Sequence, residues 1–312
     1  MAKLHIVTGK GGVGKSTAAA ALTRQLLATG RRPVLLVDVQ GSGRALEWLG
    51  LPGAPFENRP LGIPGGFGSR ILPKETFRQY FGKLLALGNE TGTLASVTAG
   101  LRERVAEKVT DNKIVSAFID VCPGLEPSVL LGKLHWEAAY GRASDSEPWS
   151  DVVVDAPATG HGLALFESVA ALVEVFGSGL IFRQASEIMD FVRDPERTKF
   201  WIVALPEEVP VRETIELRSE LERLRLPRPS LLFNRCRPRA QAQGESGENL
   251  SEAWREEVKF ERERHDEQAR LESELRTKLD AATFVKIPDF VEASAKVVVE
   301  RFAAAWSQGG ST

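Results

Sequence analysis

The sequence has few thiols. Its 312 residues include two cysteines, Cys122 and Cys236, which are far apart and form no Cys-x-x-Cys pair. A disulfide framework or a tetrahedral zinc site needs more thiols than this, so neither is expected within one chain. A metal ion shared by cysteines of two subunits stays open as an alternative.

The sequence also lacks a strong charge of one sign and an uninterrupted apolar run. The net charge is −2, so nucleic acid is not an expected partner. The most apolar stretch, residues 162–182, contains Glu167 and Glu174, which argues against a spanning helix. The first residues show no ordered signal-peptide regions. We therefore expect a cytoplasmic protein that is not itself transmembrane.

What the sequence does have is a glycine-rich loop near its start. Residues 9–17 read GKGGVGKST and match the phosphate-binding loop G-x-x-x-x-G-K-[ST]. Residues 4–7 before it are typical of a buried strand, and residues 18–27 after it are typical of a helix. The loop therefore predicts nucleotide binding through Gly11, Gly12, Val13, Gly14, Lys15, Ser16 and Thr17.

Each residue type in this loop has a chemical reason. Glycines let the backbone approach a phosphate chain, and the helix N-terminus directs positive partial charge at the anion. Lys15 is expected on the β- and γ-phosphates of ATP. The hydroxyl of Ser16 is expected to bind Mg²⁺.

A second lysine, Lys10, narrows the interpretation. GKGGVGKST resembles the deviant phosphate loop of the dimeric nucleotide-switch ATPases. These include MinD and ParA, the nitrogenase iron protein, and the arsenite-pump and tail-anchored-protein-targeting ATPases (ArsA/Get3). The resemblance implies that Lys10 crosses a two-fold interface to the partner's nucleotide, where an ammonium would offset developing negative charge. The alternative is a solvated loop lysine.

The apolar run 33–39 predicts a second strand, with Asp38 at its carboxyl end. In ArsA/Get3 proteins this strand leads into switch I, which begins Asp-Pro-Ala-His. Here the residue aligned with that Asp is Gln40, which can orient water but cannot take its proton. Slow hydrolysis with Gln40 positioning water and a subunit that barely turns over are both open. Asp38 suits Mg²⁺ or loop ordering.

A further strand, residues 151–155, ends in Asp155 and leads into DAPATGHGL. This segment resembles switch II of the ArsA/Get3 family, D-x-A-P-T-G-H-T-L. The resemblance implies that Asp155 holds a water in the Mg²⁺ shell. It also implies that Thr159, Gly160 and His161 are switch residues, with His161 interpreted as a switch residue rather than a base.

Four later residues resemble the family's nucleotide contacts. Glu207 follows a predicted strand as the family's nucleotide-contacting carboxylate does. Asn234 matches an adenine-reading Asn, whose amide can both donate and accept. Pro288 and Phe290 lie where the family closes over the adenine. The family's zinc-binding Cys-x-x-Cys is absent, and residues 241–279 instead predict a charged, solvated helix or helix pair.

Two intervals are predicted to form an inserted helical subdomain, residues 74–137 and 163–195. Before them, the glycine- and proline-rich residues 51–71 predict a loop rather than a strand. The apolar stripe of 163–195 has two open interpretations, core packing and half of a hydrophobic client groove. A chain with two methionines is a poor match for a promiscuous groove.

Together these features predict an α/β P-loop NTPase with a mostly parallel sheet flanked by helices, forming one ArsA/Get3-like domain over residues 1–312. The expected function is an ATP- and Mg²⁺-dependent switch, a homodimer or a heterodimer with a related ATPase. It would couple nucleotide state to a hydrophobic client or a membrane-associated protein. The alternatives are a non-hydrolysing regulatory subunit and a ParA/MinD-like positioning ATPase.

Overall fold

The computed structural model describes most of the chain in atomic detail. The described residues are 1–39, 41–53, 55–73, 75–77, 124–144, 147–237, 252–290 and 294–309. Gln40 and most of the predicted subdomain interval 74–137 lie outside them.

The strands form a mostly parallel sheet at the centre of the fold. Its order is β10-β9-β8-β1-β7-β2-β4-β3, and only the β3–β4 pair is antiparallel. A separate antiparallel pair consists of β5 and β6. The strands are β1 (Lys3–Gly9), β2 (Val34–Val39), β3 (Arg59–Pro60), β4 (Gly66–Ile71), β5 (Arg142–Ser144), β6 (Glu147–Pro148), β7 (Asp151–Asp155), β8 (Thr198–Ala204), β9 (Ser230–Cys236) and β10 (Phe284–Pro288).

Helices cover both faces of this sheet. The helices are α1 (Lys15–Ala28), α2 (Arg44–Trp48), α3 (Leu125–Tyr140), α4 (Thr159–Phe176), α5 (Gly179–Arg193), α6 (Glu208–Arg223), α7 (Glu252–Leu279) and α8 (Ala295–Gly309). One apolar core lies between the sheet and α1, α2 and α8. The other lies between the sheet and α3 to α7. This arrangement confirms the predicted α/β class with a parallel sheet between helical layers.

The central strands follow directly from the sequence pattern. β2 and β7 are buried along their whole length, as expected of strands covered on both faces. They pair in parallel, with Asp38 beside Asp155 at their carboxyl ends. β1 lies between β7 and β8, so the loop that follows it emerges at the middle of the sheet edge.

The prediction of a loop over residues 51–71 is wrong for residues 66–71 and for the two residues of β3. Residues 66–71 form β4, which pairs with all of β2. The glycines that suggested a turn are there because the strand lies tightly against its neighbours. A Cβ atom on Gly68 would lie 2.6 Å from Leu46 Cδ2 and 2.9 Å from Leu61 Cδ2. Packing against leucines, not a turn, accounts for this glycine.

The apolar stripe of 163–195 contributes mainly to the core. Leu165, Phe166 and Val169 of α4 are buried, as are five residues of α5: Ala185, Ile188, Met189, Phe191 and Val192. Where α4 meets α5, however, Val175, Phe176 and Ile181 are exposed. The described parts of the 74–137 interval are residues 75–77 and 124–137, and the second of these contains most of α3, which also packs in this core.

The charged stretch near the carboxyl end forms a 28-residue helix, α7. Leu271, Leu275 and Leu279 bury one side of its second half against the core. The predicted charged helix is therefore present, and its last turns belong to the domain core. Across the described residues, no helix combines the length and hydrophobicity needed to cross a membrane.

Candidate nucleotide-binding site

The candidate site lies where several parallel strands end at one edge of the sheet. In open α/β sheets, ligands bind outside the carboxyl ends of the strands, at the point where strand order reverses. β1 is such a point, because the chain continues from β1 to β2 on one side of it, whereas after β7 it continues through β8, β9 and β10 on the other side. The loop after β1 therefore lies between the residues that follow β7 and β8.

The glycines of the loop have distinct physical roles. Gly14 has a φ of 102°, and a Cβ there would lie 2.5 Å from Asn234 Nδ2. Gly11 differs, because it has no positive φ and a Cβ atom there would meet nothing within 4 Å. Nothing in the described protein requires glycine at position 11. A group that approaches from outside the chain explains it best.

Both lysines of the loop are held within their own chain. Lys15 donates from Nζ to the backbone carbonyl of Lys10 at 2.8 Å, and burial lowers the pKa of its ammonium. Lys10 in turn forms an ion pair with Glu213 of α6, with 2.9 Å between Nζ and Oε1. The Lys15 ammonium therefore lies along the loop backbone, where a phosphate could exchange with the carbonyl as its partner.

Ser16, Asp155 and Asp38 form a group of oxygen ligands behind the loop. The side chain of Ser16 is hydrogen-bonded to Asp155, which is 5% exposed. Burial raises the pKa of Asp155 to about 7; the Ser16 bond opposes this shift, and the neighbouring Asp38 carboxylate adds to it. Burial also raises the pKa of Asp38. This group has more buried negative charge than the surrounding protein compensates.

These ligands fit Mg²⁺. The ion prefers hard oxygen ligands and is usually held by one or two carboxylates together with phosphates and waters. A hydroxyl and two adjacent carboxylates meet that requirement, and a divalent cation would supply the missing positive charge. Within the described ranges, no three His, Cys, Asp or Glu side chains gather as a complete metal cage. The donor set therefore suits a cation that arrives with a nucleotide.

Asp38 also organises the backbone between β2 and α2. Its carboxylate accepts hydrogen bonds from the backbone N–H groups of Gly41 at 2.7 Å and Gly43 at 2.5 Å. Gly43, with a φ of 76°, precedes the first residue of α2. Gln40, the predicted water-orienting residue, lies outside the described residues. Asp38 thus orders the backbone of Gly41 and Gly43 in front of α2.

The four later residues predicted to contact the nucleotide lie at or just beyond the carboxyl ends of β8, β9 and β10. Glu207 is exposed next to the first turn of α6, and Pro288 is exposed at the end of β10. Phe290 packs against the α1-side core. Asn234 is 5% exposed and donates from Nδ2 to the carbonyl of Val13 at 2.8 Å. Asn234 therefore contacts the phosphate loop itself, which the sequence did not indicate.

One residue near this region was missed by the sequence analysis. Gln268 of α7 is 5% exposed, and its side-chain amide forms two hydrogen bonds with the backbone of Arg237. It lines a cavity of about 160 Å³ together with Glu207, Arg235 and Asp289, among others. Gln268 continues the Leu271, Leu275 and Leu279 stripe at helical spacing. That periodicity could have identified it as a buried residue.

The predicted switch II residues begin a helix. The backbone of Thr159, Gly160 and His161 forms the first turn of α4, directly after the segment that follows Asp155. The orientations of their side chains lie outside the described structure, so their switch role stays a prediction.

The sequence comparison agrees with this geometry. Residues 4–258 match the family described as the CobQ/CobB/MinD/ParA nucleotide-binding domain. The chain belongs to this family. The match covers the phosphate loop, Asp38, Asp155 and Asn234, whereas Pro288 and Phe290 lie beyond it. The phosphate-binding part of the candidate site therefore lies within the family's nucleotide-binding domain.

Relatives place the chain nearer to the ArsA/Get3 members of the CobQ/CobB/MinD/ParA family. The protein named ATPase BagA from Mycobacterium tuberculosis is 29% identical over 240 residues, 76% of this chain and 66% of its own length. GET3B of Arabidopsis thaliana is 22% identical over 273 residues, 76% of this chain and 64% of its own. The arsenical pump-driving ATPase of Acidiphilium multivorum is 24% identical over 251 residues, which are 76% of this chain and 40% of the relative's own length. The chain thus spans about two thirds or less of these relatives.

Proposed function

We propose that the chain is a Mg²⁺-dependent ATPase of the ArsA/Get3 type that works as a dimeric switch. The observation that carries this proposal is the contact between Ser16 and Asp155 beneath the phosphate loop, with Asp38 beside it. The loop would bind the triphosphate and these three residues would bind Mg²⁺, directly or through water. Mg²⁺ would neutralise the phosphate oxygens and orient them for attack by water.

The residues of the chain have separate roles in this proposal. Lys15 would leave the Lys10 carbonyl and bind the β- and γ-phosphates. Asn234 and Glu207, with Pro288 and Phe290, would bind the adenosine end. Since Gln40 cannot act as a base, it would orient the attacking water by hydrogen bonds, and turnover would be slow.

Dimerisation is part of the proposal because the chain contains one phosphate loop. Lys10 would provide its charge to the nucleotide of a second subunit, and ATP would thereby hold two subunits together. The partner would be either a second copy of the chain or a related subunit. Because Gln40 replaces the usual switch I aspartate, a related subunit that has this aspartate would complete the site. In either dimer, nucleotide state would be coupled to a client or membrane-associated protein.

We further propose that residues 1–312 act as one ATPase domain, with 74–137 and 163–195 as its helical subdomain. The exposed Val175, Phe176 and Ile181 would place any client contact at the turn between α4 and α5. The chain would act in the cytoplasm.

Phosphate release measured for wild type, Lys15→Ala and Gln40→Asp tests this function. We expect slow turnover in wild type, none above background in Lys15→Ala, and faster turnover in Gln40→Asp. A wild-type rate equal to that of Lys15→Ala would favour a non-hydrolysing subunit. ATP-dependent binding to vesicles or to DNA would favour a ParA/MinD-like positioning ATPase.

A further inference from the structure

Lys10, the second lysine of the phosphate loop, forms an ion pair with a glutamate of its own subunit. Lys10 Nζ lies 2.9 Å from Glu213 Oε1, and both side chains are about one third exposed, at 37% and 33%. Lys10 is therefore neither free in solvent nor directed at the candidate phosphate site. Its charge is already paired within the subunit.

The topology explains how these two residues meet. β1 and β8 are parallel neighbours, with Gly9 opposite Val203 at their carboxyl ends. Lys10 follows β1 at once, and α6 begins shortly after β8. A Cβ atom on Gly9 would lie 2.4 Å from the Val203 carbonyl, so the start of the loop packs closely against the end of β8. Glu213, in the second turn of α6, is consequently next to Lys10.

From this geometry we propose that Glu213 regulates the ATPase site by holding Lys10 in the nucleotide-free subunit. The Lys10–Glu213 ion pair must open before Lys10 can reach a nucleotide bound to a second copy of the chain or a related subunit. Each association of subunits then includes the loss of this pair on each side. This inference rests on the proposed function, because a retained Lys10 matters only if a second subunit uses its charge.

The magnitude follows from the exposure of the pair. An ion pair of this exposure favours the paired state by roughly two- to fivefold. A homodimer opens two such pairs, so Glu213→Gln should tighten ATP-dependent dimerisation by about four- to twenty-five-fold. Glu216→Gln removes the same charge from an exposed position on the same helix and serves as the matched control. The control should leave the dimer dissociation constant within about twofold of wild type.

The first experiment measures dimer dissociation constants by analytical ultracentrifugation in Mg-ATP. We expect Glu213→Gln to dimerise more tightly than both wild type and Glu216→Gln. In a Lys10→Ala background, Glu213→Gln should have no effect. Weaker dimerisation of Glu213→Gln would mean that Glu213 supports the dimer, for example by receiving the partner's lysine, and would overturn the proposal. An effect equal to that of Glu216→Gln would also reject it.

The second experiment detects the ion pair without relying on dimerisation. A zero-length carbodiimide joins an amine and a carboxylate that are in contact, and peptide mass spectrometry identifies the product. We expect an intrachain Lys10–Glu213 crosslink in the nucleotide-free protein that disappears in Mg-ATP. No crosslink without nucleotide, or one that persists in the ATP dimer, would overturn the proposal. A crosslink in a protein that never associates in ATP would instead reject the proposed function.

Discussion

Removing the carboxylate at either end of β7 should change the stability of the folded protein, in opposite directions at the two ends. Asp155, at the carboxyl end, has its pKa raised by burial to about 7 from 3.8. Burial also acts to raise the pKa of Asp151, at the amino end. Hydrogen bonds from His5 at 2.9 Å and Arg31 at 2.5 Å outweigh burial, so the pKa of Asp151 is lowered. We predict that Asp155→Asn stabilises the nucleotide-free protein and that Asp151→Asn destabilises it.

The magnitude for Asp155 follows from its pKa. A folded-state pKa above the unfolded value means that the folded protein binds the proton more tightly, so stability falls as pH rises from about 4 to about 7. The shift of about three units corresponds to a penalty of about 4 kcal/mol above pH 7. Burying the amide that replaces the carboxylate costs about 1–2 kcal/mol. The expected gain for Asp155→Asn at pH 9 is therefore about 2–3 kcal/mol. At pH 4 the carboxylate penalty is almost absent, so the amide cost should leave a loss of about 1–2 kcal/mol.

Asp151→Asn provides the matched comparison on the same strand. It removes the carboxylate that pairs with the buried His5 and the partly exposed Arg31, so we expect a loss of about 2 kcal/mol at neutral pH. Because its pKa is lowered, this contribution should be present above about pH 4 and lost as pH falls further.

Urea unfolding followed by tryptophan fluorescence between pH 4 and pH 9 gives both values. A second readout is the stabilisation by Mg-ATP over ATP with a chelator, which Asp155→Asn should lose and Asp151→Asn should retain. The reasoning fails if Asp155→Asn is less stable than wild type at pH 9, or if its gain does not change with pH.

Three other predictions test the loop and its supports. Gly11→Ala should leave the unfolding midpoint within about 0.5 kcal/mol of wild type but weaken ATP binding at least tenfold in calorimetry; unchanged affinity would contradict an external group at this position. Gly14→Ala should lower the free energy of unfolding by about 1–3 kcal/mol and should also weaken ATP binding, because the positive φ and the contact with Asn234 exclude a side chain. A variant as stable as wild type that still binds ATP would show that the loop can rearrange around the methyl group. Gln268→Leu should destabilise the fold by about 1–3 kcal/mol by leaving the Arg237 backbone unpaired, which thermal unfolding would detect; an unchanged midpoint would show that water replaces the amide.

Local patterns were enough to predict the centre of the fold. The glycine-rich loop, the apolar runs of β1, β2 and β7, and the helix after the loop are each encoded by neighbouring residues. β4 was missed because Gly66 and Gly68 suggest a turn, whereas their cause is packing against leucines from other elements. Only the assembled sheet reveals that cause.

Contacts between distant segments were likewise beyond the sequence pattern. The pairing of Lys10 with Glu213 depends on β1 and β8 being neighbours, and the contact of Asn234 with Val13 joins residues 221 positions apart. The residue types were informative, but their partners depend on strand order. The role of the α4 and α5 stripe was open for the same reason, since helical spacing alone does not distinguish core from groove.

The account depends most on a nucleotide binding to the loop between β1 and α1. Isothermal titration calorimetry with Mg-ATP, carried out on wild type and Gly11→Ala at matched stability, tests this directly. We predict one binding site per chain in wild type and at least tenfold weaker binding in the variant. Absence of binding heat in wild type over a range of temperatures, or equal affinities in the two proteins, would contradict it.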